Sequence, residues 1–365
     1  MSACDLAPGY IRAIAPYQPG KPTSELAREL GLEEASIIKL ASNENPLGVS
    51  PKALAAMRAL LDGLARYPDG NGFELKQALA QRFAVAQSQI VLGNGSNDVL
   101  ELAARSFLAP GLSAVYSQHA FAVYPLAVQA VGAKGIEVPA KNYGHDLDAI
   151  AAAVRPDTRI VFVANPNNPT GTFISGAEIE KFVAKLPGEV LVVLDEAYTE
   201  YLRPDFRYDS IAWLNKYPNL IITRTFSKVF GLAGLRVGYA LAAAGVADLM
   251  NRVRQPFNVN SLSLAAAAAA LNDEAFIRDS YELNCRGMDQ IVAGLGRLGL
   301  KHIPSYGNFV TFEVPRAGEV FQKLLRLGVI VRPIAAYGMP GHLRVSIGLE
   351  SENARFLDAL KQAFA

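Results

Sequence analysis

Cysteine is almost missing from this chain of 365 residues: only Cys4 and Cys285 occur, far apart and without metal-ligand spacing. That excludes a disulfide framework and a cysteine-built zinc site, and it suits a reducing compartment, so a cytoplasmic location is expected. Histidine is scarce too. His119, His145, His302 and His342 show no ligand spacing, so they read as surface or packing residues and no metal is expected. Neither sign of charge dominates: 35 Lys plus Arg face 34 Asp plus Glu, which leaves no field to draw in nucleic acid or anionic lipid. Long apolar runs are lacking as well. The longest, "LAAAAAAL" at 264–271, falls far short of the ~18 residues of a membrane span. Asp5 and early prolines stand where an export signal would need a basic start and an apolar stretch, so none is expected. What is abundant is hydrophobic residue, at 51%, enough to fill the core of a large α/β unit or of two domains. The expected partners are small molecules and a second copy of the chain, with no nucleic acid and no membrane.

Along the chain, helical and strand-like patterns alternate from about residue 50. Helices are expected over 51–65, 72–84, 97–108, 124–133 and 176–186, the last with Ser175 and Glu178 as a capping box. Strands are expected at 89–95, 113–118, 134–140, 159–166, 189–198, 220–228 and 236–242. Short apolar strands separated by helices predict a mainly parallel sheet covered on both faces, with sites at the carboxyl ends of the strands. Beyond the alanine-rich helix the pattern turns α+β: a long helix over 272–298, strands at 308–315, 329–334 and 342–348, and helices at 318–328 and 351–365. The expected division is an N-terminal segment, 1–45, packing with the small domain and the active site, a large domain, 46–262, and a smaller domain, 263–365.

Three of the large-domain strands end in polar residues that an apolar strand does not need. One finishes "VFVANPNNPTG" and displays Asn168, the next finishes "VVLDEAY" with Asp195 and Tyr198, and the third delivers Ser227 and Lys228. Each alone has an ordinary explanation: a turn, a helix cap, a lysine whose head reaches water. At one sheet edge together they would surround a small aromatic ring. Pyridoxal phosphate calls for this set, with a lysine for its aldehyde, a carboxylate for its ring nitrogen and donors for its phenolate oxygen.

The order "GNGSND … NPNNPTG … DEAY … SKVFGLAGLRVG … LRVSIG" resembles the fold type I pyridoxal-phosphate aminotransferases from about residue 40 to 350. That family has a large domain with a mainly parallel seven-stranded sheet between helices, plus a smaller α+β domain. "PYQPGKP", "LASNENPLG", "RYPDGNG", "QPFNVNSL" and the pair Arg332 and Arg344 are similar to the histidinol-phosphate aminotransferase branch. The resemblance implies that Lys228 carries the cofactor and moves the substrate proton, and that Asp195 faces the pyridine nitrogen. Tyr198 and Asn168 would bond the phenolate oxygen, and Phe121 would stack on the ring. Gly95, Ser96 and Asn97 at a helix start, with Thr225, Ser227 and Arg236, would take the phosphate. Tyr67 in "RYPDG" matches a tyrosine supplied by the partner subunit, which implies a homodimer with shared sites. Tyr17, Asn43, Arg332 and Arg344 would bind substrate, with Tyr17 closing over it and Asn43 holding the closing segment. The implied substrates are histidinol phosphate and glutamate/2-oxoglutarate. An aromatic amino acid aminotransferase and a threonine-phosphate decarboxylase of the same fold stay open as alternatives.

Overall fold

A computed structural model describes residues 2–364. In chain order the strands are β1 (Ile38–Lys39), β2 (Ile90–Gly93), β3 (Ser113–Ser117), β4 (Lys134–Val138), β5 (Thr158–Ala164), β6 (Leu191–Asp195), β7 (Leu220–Thr225), β8 (Gly238–Ala242), β9 (His302–Ile303), β10 (Phe309–Glu313), β11 (Val329–Ile330), β12 (Arg332–Pro333) and β13 (His342–Ser346). A seven-stranded sheet runs in the order β2-β8-β7-β6-β5-β3-β4. β3 to β7 are parallel to one another, whereas β8 is antiparallel to both β2 and β7. The expected mainly parallel α/β architecture is therefore present.

These strands are apolar on both faces because both faces are covered. Along β5, Val161 and Val163 enter one core cluster, while Ile160, Phe162 and Ala164 enter another on the opposite side. The period of two thus places one strand in two cores at once. Ser175 caps helix Gly176–Lys185 reciprocally with Glu178, as expected. The alanine-rich helix Ser261–Leu271 is capped by Asn260 and packs on helices Pro51–Arg58 and Phe73–Phe83. Small side chains allow that close approach. A four-stranded antiparallel sheet, β12-β13-β10-β9, closes a third core with helices Glu274–Arg297, Ala317–Arg326 and Glu350–Phe364.

Three expectations need correction. The helix begun at Pro51 ends at Arg58 rather than 65, and a 3-10 turn, Leu61–Gly63, follows where Gly63 weakens helical continuation. Helices Leu147–Ala152 and Ala244–Val253 were not anticipated, because short alanine-containing stretches show little periodicity. The apolar run 329–334 is not one strand. Val329 and Ile330 pair in parallel with Ile38 and Lys39, whereas Arg332 and Pro333 cross to β13. An apolar run reports burial but not the partner strand. Among the described residues no helix is long and apolar enough to cross a membrane.

The turn from β7 to β8 carries Lys228 and is fixed by Gly231, which has φ +70° and faces the Gly48 carbonyl so closely that a Cβ would collide with it. Gly231→Ala is expected to destabilise the protein by more than the ~1–2 kcal/mol of a left-handed non-glycine residue, since the clash adds to it. Urea unfolding would show the loss, and an unchanged midpoint would contradict this account of the turn.

Candidate active site

The carboxyl ends of β5, β6 and β7 open into a cleft. Its wall includes Asn168 after β5, Asp195 and Tyr198 at the end of β6, and Thr225, Ser227 and Lys228 at the end of β7. The start of helix Ser96–Phe107 adds Ser96 and Asn97, and Phe121 and Arg236 complete that side. Tyr17 and Asn43 come from the N-terminal segment, Arg332 from β12 and Arg344 from β13. All the sequence-predicted site residues thus meet here except Gly95 and Tyr67. Gly95 sits directly behind, where a Cβ would strike the Arg236 guanidinium. Tyr67 is 84% exposed and stacks on Phe257 with ring centroids 4.8 Å apart, outside the cleft lining of its own chain.

Lys228 answers to burial. Its Nζ donates to the Ser42 carbonyl at 3.1 Å and lies 5.6 Å from the Tyr198 ring centroid. Burial, then the positive charge of Arg344, pushes its pKa down to about 7. Asp195 shifts the other way: burial raises it to about 6, against the hydrogen bond it accepts from Tyr124. Tyr198 is pushed up to about 12, chiefly by burial, so it remains a protonated phenol.

Two amide orientations are set by neighbours. The Asn168 Oδ1 accepts from Arg344, which leaves the Asn168 amino group as a donor toward the cleft. Asn43 donates from Nδ2 to the Tyr198 hydroxyl at 2.9 Å, so the phenol's own hydrogen is free to point elsewhere. Asn43 also donates its backbone N–H to Ser346 Oγ at 2.8 Å, and its Oδ1 accepts from the same hydroxyl at 3.0 Å. Its polar side-chain atoms are committed to protein, so it holds Tyr198 and ties the N-terminal segment to β13.

At the other end, helix Ser96–Phe107 starts at Gly95 with no side-chain cap on its first amides. Arg236 Nη1 donates to Ser227 Oγ at 3.2 Å beside them, and the Ser227 N–H donates to Thr225 Oγ1 at 3.1 Å. A helix N-terminus and a guanidinium together form an anion cradle. Arg332 and Arg344 are cross-strand partners, a like-charge pairing that a sheet avoids without cause. Arg332 donates to the Gln18 carbonyl at 2.6 Å and packs over the Tyr17 ring.

Sequence reading missed Tyr124, Tyr337 and Ser42. Tyr124 looked like one more core aromatic of a helix, Tyr337 lay in an unassigned loop, and Ser42 acts through its carbonyl.

A family model described as aminotransferase class I and II matches residues 35–360. The chain belongs to this family. Among sequence relatives of this aminotransferase, histidinol-phosphate aminotransferase 2 of Nitrosospira multiformis is 64% identical, covering 99% of this chain and 92% of that one. Histidinol-phosphate aminotransferase 1 of Dechloromonas aromatica is also 64% identical, covering 100% of both chains. The crystal structure of histidinol-phosphate aminotransferase from Sinorhizobium meliloti, in complex with pyridoxal-5'-phosphate, superposes with a TM-score of 0.88 at 28% identity, covering 97% of this chain and 96% of that one.

The shifted lysine has a consequence for stability. With a folded pKa of about 7 against 10.5, Lys228 binds less proton in the folded than in the unfolded chain between those values, so its contribution makes stability rise with pH there. Asp195 acts oppositely at lower pH: its contribution falls as pH rises from 3.8 through about 6. In cofactor-free protein, Lys228→Met should flatten the rise between neutral and alkaline pH relative to the parent. Parallel melting curves of the two proteins across that window would contradict a lysine that loses its proton near neutrality.

Proposed function

We propose that this aminotransferase transfers the amino group of L-histidinol phosphate to 2-oxoglutarate, giving imidazole-acetol phosphate and L-glutamate in histidine biosynthesis in the cytoplasm, with pyridoxal phosphate as cofactor. The near-full-length identity of 64% to two proteins named histidinol-phosphate aminotransferase carries this reading.

The residues present fit pyridoxal phosphate. The uncapped helix start, Ser227 and Arg236 form a cradle for a phosphate monoester, and a Cβ on Gly95 would fill it. Phe121 offers an aromatic face, and a buried carboxylate and a partly neutral amine line the same cleft. When bound, the cofactor supplies an aldehyde for the lysine and an electron-withdrawing ring that stabilises negative charge at the substrate Cα.

The protein's part is to position, exclude water and move one proton. Lys228, near neutrality in pKa, can take the proton from the substrate Cα and return it. With the cofactor bound, Asp195 would keep the ring nitrogen protonated, and the Tyr198 hydroxyl and the Asn168 amino group would be the donors to its phenolate oxygen. Arg344, bonded to Asn168 and to the Ala41 carbonyl, ties the anion side of the substrate site to the cofactor side. Arg332 and Tyr17 stand toward the mouth, where the N-terminal segment crosses. We take 46–271 as the cofactor-binding domain, because helix Ser261–Leu271 belongs to the core of the large sheet rather than opening the small domain at 263, 272–365 as the small domain and 1–45 as the segment that packs with the small domain and the active site.

A homodimer is part of the proposal. Leu61 at 54%, Leu64 at 48%, Tyr67 at 84%, Phe73 at 49% and Phe257 at 44% are exposed apolar side chains concentrated around one loop. Such a concentration marks a surface that another chain covers. The loop is firmly built: Asp69 accepts from the Phe73 N–H at 2.7 Å and Arg254 donates to the Gly70 carbonyl at 2.9 Å. Tyr67 is thereby presented to the partner's phosphate cradle.

Two experiments test this. Single-turnover reactions with histidinol phosphate, glutamate and phenylalanine should favour histidinol phosphate. Arg332→Ala should slow both anionic donors roughly 10- to 150-fold, the loss of a charge-assisted bond, and phenylalanine less. Arg344→Ala should damage all three, because it also releases Asn168. A parent enzyme that prefers phenylalanine would move the assignment to an aromatic aminotransferase. Separately, mixing Tyr67→Ala with Lys228→Ala subunits should restore part of the activity, since one heterodimer site then draws both intact residues from opposite chains. No gain over the parents would place Tyr67 in its own subunit's site.

A further inference from the structure

Behind the cleft wall, Tyr124 is fully buried at the start of helix Val123–Ala130. Its hydroxyl donates to Asp195 Oδ2 at 2.9 Å, while the Ala197 N–H donates to Asp195 Oδ1 at 3.3 Å. Both carboxylate oxygens are thus engaged from the wall, with the Thr223 hydroxyl as a further neighbour that lowers the acid's pKa. The Tyr124 ring stacks on Phe162 of β5, with centroids 4.8 Å apart and planes 10° off parallel. It also meets Phe121 edge-on, at 5.9 Å and 86°. Phe162 is itself fully buried in the core on the same face of the sheet, so Tyr124 rests on a packed neighbour and touches two cleft residues at once.

We propose that Tyr124 is a positioning residue for the transamination: its hydroxyl fixes the carboxylate that faces the cofactor's ring nitrogen, and its edge fixes the aromatic side chain that stacks on that ring. This rests on the cofactor reading above. Burial and the Asp195 charge hold the Tyr124 phenol protonated, so it acts only as a donor toward the carboxylate. A donor on a buried carboxylate lowers its basicity. Tyr124 therefore biases the proton shared with the ring toward the nitrogen, which is the form that withdraws electrons. Without the hydroxyl, Asp195 would be freer to turn and more basic, and both changes loosen the ring.

Titration of apoenzyme with pyridoxal phosphate, followed by absorbance, tests this without turnover. Tyr124→Phe keeps the ring and its stacking but removes the donor. Because that bond already exists before the cofactor binds, its affinity should fall by only part of the worth of a hydrogen bond to a charged group, up to about tenfold, and the pH profile of the bound cofactor's absorbance should shift. In an Asp195→Ala background the same substitution should cost little further, because the carboxylate it serves is gone. Phe162→Leu, which removes the stacking support but leaves the hydroxyl, should weaken binding less than Tyr124→Phe. An unchanged affinity and pH profile in Tyr124→Phe would overturn the proposal. So would an equal loss with and without Asp195, or a larger effect from Phe162→Leu, either of which assigns the residue to packing alone. Melting curves of each apoenzyme establish that the compared proteins are folded. Parent apoenzyme that takes up no pyridoxal phosphate would instead reject the cofactor reading, and this inference with it.

Discussion

The desolvation of one amine organises this molecule. Lys228 stands where a cation is least comfortable: half-buried in the cleft wall, beside Arg344, with the Ser42 carbonyl as its hydrogen-bond acceptor. A salt-bridging carboxylate would return it to an ordinary ammonium, and among the described residues the salt bridges leave Lys228 out. A lysine placed this way must give up its proton near neutrality or take a covalent partner, and both outcomes suit a group that captures a carbonyl carbon. The strand-turn-strand from β7 to β8 exists in a form that holds it there, with the antiparallel return of β8 bringing Arg236 back beside Ser227.

The same requirement explains why three separate parts of the chain close over one spot. Strand ends alone would leave the amine open to water. The N-terminal segment covers it with Ser42 and Asn43, and Asn43, in a left-handed backbone conformation of φ 55°, is bonded to Tyr198, Ser346 and, through its carbonyl, Asn308. β1 is anchored next to this stretch by parallel pairing with β11. Residues from the seven-stranded sheet, from the N-terminal segment and from the four-stranded sheet are thus joined by bonds made within the cleft wall itself.

How much of this was legible follows from the reach of each signal. An apolar strand that ends in a polar residue is a local signal, and Asn168, Asp195, Tyr198 and Lys228 all carry it; the fold brings them to one cleft. The mainly parallel sheet followed from the same runs. Tyr124 was invisible because its role is a bond to a residue 71 positions away, while its helical setting looks like packing. Asn43 is expected to hold the closing segment, but the means of holding is not local: its amide bonds Tyr198 and Ser346, partners 155 and 303 positions distant. The break of 329–334 between two sheets was hidden for the same reason: the competing partner, β1, lies almost three hundred residues earlier.

The pair Asp195 and Glu196 shows where local reading reaches its end. Both are acidic, adjacent and buried, at 5% and 1% exposure, and the sequence "LDEAY" does not say which of them serves chemistry. Strand parity decides it. Asp195 turns toward the cleft, as Thr225 does on the neighbouring strand. Glu196 turns away and meets Arg224, the residue before Thr225, in a pair at 2.8 and 3.0 Å. The opposite face of the sheet therefore absorbs one carboxylate into a buried ion pair, the arrangement that makes an inward charge tolerable. Asp195 has no arginine of that kind: only neutral donors, Tyr124, the neighbouring Thr223 hydroxyl and the Ala197 amide, act against the burial of its charge. Under the proposed function a cationic ring nitrogen would complete it, and a one-residue shift in strand register would instead turn Glu196 to the cleft and pair Asp195 with the arginine.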